Sequence, residues 1–101
     1  LVASRDPPPQ EISYVTQAFP FTTSVETMSD NLSTLGACGG GDGPEAVTAA
    51  LLEVLKLPYR ENAVKVVVFI ADAPPHALGE PGDGFPNADP SGADAIQVAR
   101  A

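Results

Sequence analysis

Val64-Lys65-Val66-Val67-Val68-Phe69-Ile70-Ala71-Asp72-Ala73-Pro74-Pro75-His76 is the stretch on which the reading of the fold turns. Its apolar run is too short to span a bilayer, is rich in β-branched side chains, and lies between Asn62 and Pro74. That pattern predicts a central strand buried on both faces. Asp72 would then stand at the carboxyl end of the strand, the edge at which open α/β sheets hold their ligands.

Working outward, Leu1 to Ser4 reads as the end of a strand whose beginning lies upstream, followed by Arg5, Asp6 and the turn-forming Pro7-Pro8-Pro9. Ile12 to Phe19 carries strand formers with partial alternation and is closed by Pro20, which predicts a second strand near an edge. Thr23 and Glu26 have capping-box spacing, and Val25, Met28, Leu32 and Leu35 recur at helical intervals, so a helix is expected from about Ser24 to Leu35 with Gly36 as its stop. Gly39-Gly40-Gly41-Asp42-Gly43-Pro44-Glu45 reads as a loop delivered onto a helix start. That helix places Val47, Ala50, Leu51 and Val54 on one stripe, which should cover the sheet, and runs to about Lys56. Ala73 to Pro90 holds five prolines, three glycines and the acids Glu80, Asp83 and Asp89, with no Lys or Arg, and reads as a long acidic loop. Loops of that length are uncommon in compact domains. A last helix is expected from Ser91 to Ala101, with Ile96 and Val98 or Ala99 free to pack.

Bulk properties narrow the function classes. A chain of 101 residues makes one domain with one modest core. Thirteen acidic residues against five basic ones give a net charge of −8, which repels phosphate backbones and anionic lipid, so neither nucleic acid nor membrane is an expected partner. The same acidity suits a cation or a basic partner as well as it suits a merely solvated surface. The lone Cys38 cannot form an internal disulfide, and this leans towards a cytoplasmic setting. The glycine loop lacks the Lys-Ser/Thr of a phosphate-binding loop, and no nucleophile elbow is present.

Three carboxylates fall at equivalent places: Asp6 after the first strand, Asp42 in the glycine loop and Asp72 after the central strand. If the strands are parallel, these side chains converge at one sheet edge, which is what a hard cation requires. Mg²⁺ keeps several waters and needs only one or two direct carboxylates. Each residue has a plainer role too: Asp6 as a turn former, Asp42 as a helix N-cap, Asp72 as a strand-end acceptor. His76 could serve as general base, metal ligand or loop-fixing donor. The last is favoured because no second His or paired Cys completes a transition-metal site.

Arg5-Asp6, Tyr14-Val15-Thr16, Phe21-Thr22, GGGDGPE at 39–45 and FIADAPPH at 69–76, with Asn87-Ala88-Asp89-Pro90 beyond, together resemble von Willebrand factor A-like domains of the type found beside alpha-kinase domains. The resemblance implies a doubly wound, mostly parallel α/β sheet with flanking helices, a Rossmann-type fold. Residues 1–101 would form its central part, without the first strand and its Asp-x-Ser-x-Ser motif and without the last strands. It implies a divalent cation, usually Mg²⁺, held at Asp72, Asp42 and Asp6 and used to grip a carboxylate of a protein ligand. Asp42, or Gly41 beside it, falls where the family has a threonine. An aspartate there would tighten cation binding and weaken attraction for an incoming carboxylate. With the first strand lacking, the site is incomplete, cation affinity is weak or absent, and the strand at 64–71 has an open edge that invites self-association. The leading expectation is a non-enzymatic, cation-dependent protein-binding module. An enzyme using Asp72 and His76 as an acid/base pair, and a purely structural domain, are the alternatives.

Overall fold

The computed structural model describes residues 1–5, 14–37, 46–87 and 95–101. Two short strands, β1 (Val2–Ser4) and β2 (Thr16–Ala18), pair antiparallel with Val2 opposite Ala18, Ala3 opposite Gln17 and Ser4 opposite Thr16. Flanking bonds from Arg5 N to Val15 O (2.8 Å) and from Phe19 N to Leu1 O (2.9 Å) extend the ladder by a residue at each end. The second strand is thus shorter than the predicted 12–19. Residues 12 and 13 lie outside the described residues.

Helix α1 (Val25–Ser33) starts where the sequence places it, but its cap is Ser24 rather than Thr23. Ser24 is held extended and its hydroxyl accepts from Thr27 N at 3.1 Å, satisfying one of the amides that a helix start leaves without a partner. The predicted apolar stripe of α1 is not buried: Val25 and Leu32 are exposed and Met28 is only half-buried. Helix α2 (Val47–Lys56) follows the expected stripe. It packs on β1, β2 and the short terminal helix α3 (Ala95–Arg100), and so covers the strand pair as its periodicity predicts. It begins behind Ala46 with no side-chain cap. The cap expected at Asp42 falls outside the described residues. In α3, Ala95 is the buried residue, whereas Ile96 is half exposed.

Among the described residues, the fully buried apolar side chains are Ala46, Val47 and Ala95, all at helix starts. The core therefore sits where α2 and α3 begin.

The decisive stretch departs from expectation. Val64–Ala71 is neither strand nor helix, and none of its backbone groups is hydrogen-bonded among the described residues. Its side chains nonetheless alternate. Val64 (91% exposed), Val66 (78%), Val68 (79%) and Ile70 (89%) are largely exposed, while Val67 (49%) and Phe69 (57%) are partly covered. Period-2 alternation is the habit of a strand resting on one face. The buried central strand is corrected to a half-covered apolar segment, because no neighbouring strand among the described residues shares its edge.

Candidate functional site

Asp72 follows this segment, in an exposed bend. It lines a cleft of about 380 Å³ together with Ser4 and Arg5 from the end of β1, Tyr14, Ala37 and Val47. Arg5 shapes this cleft: its Nη2 donates to Gly36 O at 2.9 Å, and its guanidinium carbon lies 4.3 Å from the centre of the Tyr14 ring. Stacked and bonded in this way, it ties the end of β1 to the turn after α1.

Asp6 and Asp42 lie outside the described residues. Arg5, which precedes Asp6, lines the cleft, and so do Ala37 and Val47, which bracket the glycine loop of Asp42. Among the described residues no three His, Cys, Asp or Glu side chains cluster as metal ligands would. On the described cleft, the Asp72 carboxylate and the Ser4 hydroxyl are the side-chain oxygens suited to a hard cation, a partial set that water would have to complete.

His76, four residues beyond Asp72, is turned away from this cleft into packing. Its side chain is fully buried, and Nδ1 donates to Asp83 Oδ1 at 2.7 Å. The ring meets Phe85 edge-on, with centroids 4.9 Å apart and planes at 73°. Asp83 also accepts from Phe85 N on Oδ1 (2.8 Å) and from Ala77 N on Oδ2 (2.7 Å). Burial works to raise the Asp83 carboxyl, but the amides of Phe85 and Ala77 and then His76 outweigh it, holding the group below its ordinary value. One carboxylate thereby closes the loop from residue 76 to residue 85. The backbone passes through positive φ at Ala77 (65°), Gly79 (90°) and Gly82 (81°) to make that closure. His76 is thus the loop-fixing donor that the sequence favours. The acid/base pairing of His76 with Asp72 is replaced by a buried pairing with Asp83.

The sequence marks Asp83 only as one acid of the loop. The available signal is Asp83-Gly84 seven residues beyond the lone histidine: Phe85 N to Asp83 Oδ1 is the Asx turn such a dipeptide favours.

A larger open hollow, about 730 Å³, lies elsewhere and is lined by Phe21, Tyr59, Arg60 and Lys65 among others. It contains none of the sequence-predicted site residues. No helix among the described residues is long and apolar enough to cross a membrane.

Among curated proteins, the alpha-protein kinase vwkA of Dictyostelium discoideum is similar: 36% identical over 76 residues, which are 73% of this chain and 12% of the relative. The chain therefore spans about an eighth of the length of the relative it matches. No protein-family model and no solved structure matches.

Proposed function

We propose that residues 1–101 are the central part of a von Willebrand factor A-like domain of the alpha-kinase-associated type, a non-catalytic, cation-dependent module that binds a protein ligand. The observation that carries this reading is the 36% identity with a protein named as an alpha-protein kinase, taken with the GGGDGPE and FIADAPPH stretches. A doubly wound, mostly parallel sheet belongs to the same reading; β1 would be one of its strands, and the segment 64–71, unpaired among the described residues, would have to pair as another.

Support from the geometry is the shared cleft. The end of β1, the two flanks of the glycine loop and Asp72 all line it. Asp72, Asp42 and Asp6 would hold the cation, Mg²⁺ or a similar ion, directly or through its waters. The ion would supply a charge that attracts a carboxylate of the partner. Asp72 is exposed and so is placed to meet such a partner. Burial of His76 removes the main support for the enzymatic alternative, which needs its ring within reach of a substrate.

Titration of Mn²⁺ into the protein, followed by electron paramagnetic resonance, tests the cation assignment. The expected result is weak, saturable binding that Asp72→Ala abolishes and that Mg²⁺ competes for. Binding that is absent, or that persists unchanged in Asp72→Ala, overturns it.

A further inference from the structure

The open hollow of about 730 Å³ that lies apart from the Asp72 cleft falls within the roughly 300–1,000 Å³ typical of small-molecule sites. It shares none of its described lining residues with that cleft. Part of its wall is aromatic: the rings of Phe21 and Tyr59 meet with centroids 5.3 Å apart and planes at 57°. Tyr59 is fixed in place, because its hydroxyl donates to Val54 O in α2 at 2.9 Å. A turn then closes from Ala63 N to Arg60 O (3.3 Å) through Asn62, whose φ of 60° an asparagine tolerates better than most residues. On either side of that turn, Arg60 and Lys65 line the same hollow. The Lys65 ammonium lies 5.6 Å from the centre of the Tyr59 ring, within reach of its negative face.

We propose that this hollow binds a compact organic anion, a carboxylate carried on a flat aromatic body. Charge selects the anion. The chain has five basic residues against thirteen acidic ones, yet two of the five line this hollow and, among the described residues, no Asp or Glu does. Glu61, which follows Arg60 in the chain, is not on it. Neither Arg60 nor Lys65 forms an ion pair among the described residues, whereas Lys56 is taken up by Glu53 at 3.0 Å. The Thr22 hydroxyl, also on the lining, accepts from Ser24 N at 3.0 Å, which leaves its own proton to donate to a carboxylate oxygen. Size and apolarity select the body. The hollow is far larger than a bare inorganic anion fills, and the Phe21 and Tyr59 rings offer an aromatic ligand stacked or edge-on contact. An extended polyanion is disfavoured, since two cations do not offset its approach to a body of net charge −8. Strand pairing along 64–71, which the proposed domain needs, uses the backbone of that segment and not the rings of Phe21 and Tyr59 or the Arg60 guanidinium.

Titration of naphthoate into isotope-labelled protein, followed by NMR, tests this. The expected result is saturable binding with a Kd on the order of 1 mM, the range open to a ligand of this size, with shifts centred on the ring protons of Phe21 and Tyr59. Binding should weaken as salt rises. Naphthamide, of the same shape without the charge, should bind at least about three-fold more weakly, and inorganic phosphate should leave the rings unmoved. Arg60→Gln and Lys65→Gln, each checked for an unchanged amide spectrum away from the hollow, should weaken naphthoate binding about three-fold apiece and about ten-fold together. Lys56→Gln, which removes a cation outside the hollow, should leave it unchanged. Naphthamide bound as tightly as naphthoate overturns the proposal, as does an affinity untouched by the double variant or lowered equally by Lys56→Gln. Shifts centred elsewhere, phosphate bound as tightly as naphthoate, or no saturable binding in the millimolar range overturn it as well.

Discussion

Truncating Ile70 to alanine measures what the 64–71 segment contributes to the stability of the chain. Burial of an isoleucine side chain stabilises a fold by about 1.5–3 kcal/mol. Ile70 is 89% exposed, so only about a tenth of that, ~0.3 kcal/mol, is at stake. The opposite case is Val47, 6% exposed at the start of α2. Removing its two methyl groups in favour of alanine should cost about 2 kcal/mol, roughly 0.8 for each group plus a cavity contribution. Urea unfolding in a stabilising osmolyte measures both. Ile70→Ala should move the midpoint by an amount within the scatter of surface substitutions, about 0.5 kcal/mol, while Val47→Ala should move it several-fold further. A loss of about 2 kcal/mol or more in Ile70→Ala would refute the reasoning, since it would place Ile70 inside the packing of the chain.

Two further outcomes follow from local geometry. Asp83 has a folded-state pKa below its unfolded one, so its contribution is complete above the ordinary carboxylate range and is lost as pH falls through the depressed value. The ring-proton resonances of Phe85 should therefore hold their folded shifts through the ordinary carboxylate range and collapse only in stronger acid, and Asp83→Asn should loosen the loop even at neutral pH. Ser24→Ala removes the cap of a helix with no buried side chain, and should cost about 1 kcal/mol, read as faster amide exchange across α1, with Ser24→Asp close to wild type.

What the sequence discloses here is chiefly what is local. The stripe at Val47, Ala50, Leu51 and Val54 identifies α2 and its covering role, because a helix shows its inner face at a fixed period. The same periodicity identifies α1 but misjudges its burial: Val25 and Leu32 recur correctly and still face solvent, since periodicity reports a face and not what lies opposite. Val64–Ala71 fails for the same reason at larger scale. Its composition is that of a buried strand, but burial requires neighbours on both sides, and pairing is a long-range matter that the run itself does not encode. In the candidate site, Asp72 lies in an exposed bend rather than at the end of a strand, on a cleft that Arg5, Ala37 and Val47 also line, while Asp6 and Asp42 lie outside the described residues. The part played by Asp83 is not legible in the sequence because its ties to residues 76 and 77 span seven and six positions, beyond the reach of a turn motif.

The three bonds on Asp83 have a practical consequence. Because one carboxylate anchors residues 76, 77 and 85, the exposed tip at Leu78–Gly82 is a handle whose ends are fixed independently of what it carries. Closure entropy grows only slowly with length, about 0.6 kcal/mol for each doubling. A short peptide tag or fluorophore attachment site inserted between Gly79 and Glu80 should leave the anchored ends in place. A reporter could thus be mounted a few residues along the chain from Asp72 without altering any residue that lines its cleft.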